Sequence, residues 1–92
     1  MNNNSIGNKY PSQAHAAIGA NLRILRRHKK ITRAAVAYEA QISVSTLRKL
    51  ELGDCASVSI FLLFDVCSYY QVEPHTILID GYYDNPSNLP IP

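Results

Sequence analysis

Residues 32–53 read TRAAVAYEAQISVSTLRKLELG, and their pattern decides the fold. Thr32 is a natural N-cap, because a hydroxyl can accept from an orphan backbone amide in a first helical turn. From Arg33 to Ala40 the alanines keep a predicted helix slim, so that another helix can approach it closely. Gln41-Ile42-Ser43 breaks the run. Ser43 then caps a second predicted helix, from about Val44 to Leu52, which Gly53 stops as glycine does at a helix C-terminus. At ~100° per residue, Leu47 and Leu50 point to one side of this helix, and Ser45, Arg48, Lys49 and Leu52 to the other.

Upstream, Ile18, Leu22 and Leu25 recur at i, i+4, i+7, which predicts a helix from about Gln13 to Lys29 flanked by Arg23, Arg26, Arg27 and Lys30. Downstream, a fourth helix begins after Ser57 or Ser59 and runs to about Gln71. Pro74 suits the first turn of a short fifth helix ending near Ile79. Residues 1–13, rich in Asn, Ser and Gly, read as a flexible N-terminal tail. Residues 80–92 hold three of the five prolines and read as a flexible C-terminal tail. The expected fold is therefore all-α, with five helices in one domain at residues 14–79.

Composition narrows the function. The chain has 92 residues, 47% hydrophobic and 17% charged, enough to bury one core and too few for a separate substrate domain. The most apolar segment, Cys55 to Phe64, is well short of the ~20 residues that a bilayer span needs, and MNNNSIGNKYPSQ has no leader-like apolar run. Cys55 and Cys67 form no C-x-x-C pair, and His15, His28 and His75 stand apart, so no metal site, cofactor or catalytic constellation is expected. A cytoplasmic, non-enzymatic protein is the plain expectation. All nine Lys and Arg lie in residues 1–50 against one acid, Glu39, whereas residues 51–92 carry six acids and no Lys or Arg. Such a dipolar chain suits either a solvated helix surface or a basic face turned toward a polyanion.

Two short helices joined by a tight turn make a helix-turn-helix, and an inner apolar edge opposite an outer basic edge fits a major groove. From Ile18 to Leu78 the chain resembles the Cro/cI (XRE-type) helix-turn-helix family, the lambda-repressor-like fold. The residues carrying the resemblance are Leu22, Arg23 and Arg26, then Ile31-Thr32, Val36-Ala37, Ile42-Ser43, Leu47, Leu50, and Glu51 with Gly53 after it. It implies a sequence-specific double-stranded-DNA-binding transcriptional regulator, a repressor acting as a homodimer. Two readings stand beside this one: an autorepressing antitoxin with a protein partner, and an interaction module that has lost DNA binding.

By the resemblance, Val44, Ser45 and Lys49 fall where family members touch base edges; Arg48 on the same face could meet bases or phosphates. Arg33, Ser43, Thr46 and Lys30 are the candidate phosphate contacts. Arg26 and Glu51 are implied to form a structural ion pair, with direct phosphate contact by Arg26 as the rival. Departures are Gln41, where glycine is usual and a positive φ is implied, Lys30 at the end of the first helix, Leu52, and the acidic Asp54. The fourth helix is apolar over more than half its circumference, with Phe61 on the polar side. Phe61, Phe64, Tyr69, Tyr82 and Tyr83 are therefore candidates for a dimer interface. Alternatively, the C-terminal tail folds back over that helix within one chain.

Overall fold

Ile18, Leu22 and Leu25 form the buried stripe of α1 (Asn4–Lys29), and the rest of the core assembles on it. The computed structural model describes residues 4–91, and among these there are helices and turns but no strand. Val36 and Ala37 of α2 (Arg33–Ala40) pack on Leu47 and Leu50 of α3 (Val44–Glu51). Val66, Cys67 and Tyr70 of α4 (Ile60–Tyr70) close the core together with Ile77 and Tyr83.

The caps are local chemistry. Thr32 Oγ1 accepts from the Ala35 amide at 3.1 Å, and Ser43 Oγ from the Thr46 amide at 3.0 Å. Ser59 accepts from the Phe61 amide, so α4 starts at Ile60. Each helix end closes with its orphan carbonyls bonded to the two residues beyond it. After α3, whose last turn continues through the right-handed Leu52, these are Gly53 and Asp54, whose amides donate to the Leu50 and Lys49 carbonyls. The other three ends put Lys30, Gln41 and Gln71 in the left-handed region, at φ 58°, 62° and 59°. Behind each follows a branched apolar residue, Ile31, Ile42 or Val72, packed against the core. The positive φ implied at Gln41 is therefore adopted without glycine.

Three expectations need correction. The fifth helix is a 3-10 turn, Pro74–Leu78. Its carbonyls are claimed elsewhere: Asn21 Nδ2 donates to the Ile77 and Ile79 carbonyls, both at 2.9 Å, and Thr76 Oγ1 bonds the Glu73 carbonyl at 2.6 Å. The domain thus has four α-helices and short 3-10 turns. Nor is the N-terminal segment loose from Asn4 on: α1 begins there rather than at Gln13. Its first eight residues include Asn, Ser, Gly and Pro11, all poor helix formers, so propensity alone would not place the start at Asn4. The C-terminal segment folds into two further 3-10 turns, Tyr82–Asp84 and Pro86–Asn88, that pack back on the chain. Residues 1–3 and 92 of the two expected tails lie outside the described residues.

Candidate nucleic-acid interface

The orientation of α3 is set at its C-terminal end. Glu51 is fully buried, at 0% exposure, and such a charge survives only if paired. Arg26 of α1 donates Nε to Oε2 at 2.7 Å and Nη2 to Oε1 at 3.1 Å. Arg33, the first residue of α2, donates Nε to Oε1 at 3.0 Å. The Arg23 guanidinium donates to the Glu51 backbone carbonyl. The hydrogen bond to Glu51 raises the Arg26 pKa above its ordinary value, with burial opposing it.

Close backbone packing accompanies this polar lock. A Cβ on Gly19 would lie 2.7 Å from the Glu51 carbonyl oxygen and 2.9 Å from the Gly53 amide nitrogen. Gly53 has φ +78°, and a Cβ there would lie 3.2 Å from the His15 carbonyl oxygen. Two glycines thus let α1 touch the end of α3.

With its inner edge so held, α3 turns its basic edge outward. Val44, at 48% exposure, stands free with Ser45, Arg48 and Lys49. Ser43 is exposed and Thr46 half-buried; their hydroxyls bond each other at 2.8 Å. Both belong to the N-terminal turn of α3, where backbone amides and the helix dipole favour an anion. Lys30 is exposed after α1. Asp54 and Leu52 are exposed just beyond α3.

Arg33, a candidate phosphate contact, has its Nε committed to Glu51 while the side chain stays about one-third exposed. Arg26 sits in the same cluster, with its Nη1 on the Ile31 carbonyl at 3.4 Å. Gly19, Asn21 and the second arginine on Glu51 come to light only in the structure. Gly19 carries a signal, a lone glycine inside a helical pattern, which marks close approach. Asn21 carries another, a polar residue beside the apolar stripe.

The apolar candidates separate. Tyr83, 3% exposed, is buried within its own chain with its hydroxyl 2.6 Å from Thr76 Oγ1, which removes it from any surface offered to a second chain. Tyr82 is half-buried against the core. Tyr69 is half-buried too, donating to Glu39 Oε1 at 2.7 Å. Phe61 and Phe64 remain outside, in an edge-to-face pair with centroids 6.4 Å apart and Phe61 73% exposed. The C-terminal segment folds back mainly on α1 and the Pro74–Leu78 turn rather than over α4, and these two rings stay uncovered.

Among the described residues no helix is long and apolar enough to cross a membrane, and no group of three His, Cys, Asp or Glu is placed to hold a metal ion. Comparison with curated proteins and with solved structures finds no match. The family model described as a helix-turn-helix domain matches residues 17–77, from the buried stripe of α1 to the turn after α4. An architecture in which α2 braces an outward-facing α3, together with that match over well over half of the sequence, establishes that the chain belongs to the helix-turn-helix domain family.

Proposed function

We propose that the chain is a sequence-specific double-stranded-DNA-binding transcriptional regulator, a repressor that acts as a homodimer on a palindromic operator in the cytoplasm. One observation carries the reading: the exposed edge of α3 is basic and polar, while its opposite edge is locked to α1 and α2 through Glu51. In a major groove, Val44 would meet a thymine methyl, Ser45 a donor or acceptor, and Arg48 and Lys49 guanine acceptors or phosphates. Ser43, Thr46, Lys30 and the outer nitrogens of Arg33 would register the domain on the backbone.

Phe61 and Phe64 support the dimer, since an exposed aromatic pair on a short helix is the kind of patch a second copy buries. Two-fold pairing would set the two α3 helices about 34 Å apart, one turn of the duplex. The test is a gel shift on the DNA flanking the chain's own gene, repeated over a salt series. Six neutralised phosphates give a slope of log K against log salt near −5. An affinity constant across that series overturns the reading. Replacing Phe61 and Phe64 with Ser is expected to yield a monomer by light scattering and to abolish cooperative occupation of two half-sites; an unchanged dimer overturns the assigned interface.

A further inference from the structure

A groove of about 490 Å³ lies at the C-terminal ends of α1 and α4, and part of its wall is the returning C-terminal segment. Its volume falls in the ~300–1,000 Å³ range of small-molecule sites. The cationic and polar lining comes from His28, Lys29, Lys30 and Gln71, and the apolar lining from the Tyr69 and Tyr70 rings, Leu25 and Pro90. No Asp or Glu lines it. His28 Nε2 donates to the Pro90 carbonyl at 3.0 Å and ties the wall to α1. Lys29 Nζ lies 5.2 Å from the centre of the Tyr69 ring.

Two further observations set this groove apart. Lys30 and Gln71 occupy left-handed positions at φ 58° and 59°, where glycine is the least costly choice, and both line the groove. Tyr70, another lining residue, offers the groove only its ring, because its hydroxyl is buried on the side of Glu51 and Arg26. We propose that this groove binds a small organic anion with a flat apolar body, of which an aromatic carboxylate is the simplest member.

The charge balance favours that ligand. The two helix C-termini contribute roughly half a negative charge each, which the two full charges of Lys29 and Lys30 exceed. The neighbouring Glu39 carboxylate lies outside the lining and is engaged by the Tyr69 hydroxyl. The tyrosine faces and the Leu25 and Pro90 side chains then offer apolar contact that neither a bare phosphate nor acetate can use. Lys30 is also a proposed phosphate contact, so an occupied groove would compete with DNA for it. That coupling rests on the DNA-binding reading; the groove itself does not.

The experiment is a titration of the free chain, followed by backbone amide NMR, with benzoate, acetate and inorganic phosphate at matched ionic strength. Benzoate is expected to shift the amides of His28–Lys30 and Tyr69–Gln71 and to bind about tenfold more tightly than acetate or phosphate. Lys30→Gly and Gln71→Gly both relieve the left-handed conformation and keep the fold, so neither result can be blamed on unfolding. Lys30→Gly is expected to weaken benzoate about tenfold, the loss of one charge-assisted contact. Equal affinity for the three anions, or benzoate binding untouched by both substitutions, overturns the proposal. No DNA is present, so this outcome stands apart from the gel shift. Saturating benzoate is then expected to weaken operator binding relative to acetate at equal ionic strength, and an equal affinity overturns the coupling.

Discussion

Gly19→Ala sets two effects of known size against each other. Inside a long helix, alanine is favoured over glycine by about 1 kcal/mol, so on an open surface the change would stabilise α1. Here the new Cβ would meet the Glu51 carbonyl oxygen at 2.7 Å, the Gly53 amide nitrogen at 2.9 Å and the Glu51 carbonyl carbon at 3.2 Å. All three are backbone atoms, fixed by the closed end of α3 and by the Arg23 hydrogen bond, so no side chain can swing aside. Relief requires α1 and α3 to separate, which strains the Arg26–Glu51 geometry as well. Overpacking of this kind costs about 1–3 kcal/mol, and its rigid surroundings put this case at the upper end. The net expectation is a loss of about 1–2 kcal/mol, or roughly 4–16 °C in Tm for a domain of this size. Thermal unfolding followed by circular dichroism at 222 nm reads it directly. A Tm equal to or above that of the parent chain would show that helix propensity wins, and would refute the claim that α1 and α3 touch through backbone at this point.

Arg26→Ala is expected to cost about 3 kcal/mol in urea unfolding, because it strips the two-pronged partner from a buried carboxylate, and more than Arg33→Ala, whose side chain is more exposed. The reverse order would reassign the main partner of Glu51. Gln41→Gly is expected to raise stability by up to about 1 kcal/mol by removing the left-handed cost while keeping the turn, and a loss in urea titration would mean that the glutamine side chain matters there. Burial pushes the Cys67 thiol up to about 11 from its ordinary 9.0. The folded chain therefore holds a proton that the unfolded chain releases, so this contribution is intact below pH 9 and is lost as pH rises toward 11. Cys67→Ala is expected to flatten that part of the alkaline stability profile, and an identical slope would rule the thiol out.

Much of this structure was legible because the deciding signals are local. Thr32 and Ser43 announce two helix starts by their hydroxyls, and Gly53 announces a stop by its freedom at positive φ. Periodicity alone placed Leu22, Leu25, Leu47 and Leu50 in the core. The features that escaped depend on partners far along the chain. Nothing between Glu73 and Ile79 reveals that Asn21, more than fifty residues earlier, takes the carbonyls that a fifth helix would need. Tyr83 sits in the segment that reads as a tail, yet Thr76 and α1 enclose it. Arg33 shows the same limit at the interface. Its place at the start of α2 makes it a candidate phosphate contact by resemblance, while its hold on Glu51 is a matter of where α3 ends in space.

The arginines around Glu51 also raise the question of what the polar lock is for. A buried ion pair is poor currency for stability, since desolvation offsets most of its attraction and apolar replacements of similar volume often gain 1–4 kcal/mol, a range of roughly that order. Hydrogen bonds, however, fix direction as well as distance. Arg26 approaches from α1 and Arg33 from α2, so together they set how α3 is rotated about its own axis, and hence which side chains face outward. An apolar cluster would hold the same helices together while leaving that rotation softer. The combined variant Arg26→Met, Arg33→Leu, Glu51→Leu is therefore expected to unfold at the same or a higher urea concentration. On the DNA-binding reading proposed above, its ratio of preferred-site to random-sequence affinity should drop by about tenfold, the loss of one well-aimed base contact. A variant that gains stability and keeps the full ratio would show that packing alone aims α3, and that the buried carboxylate has no part in recognition.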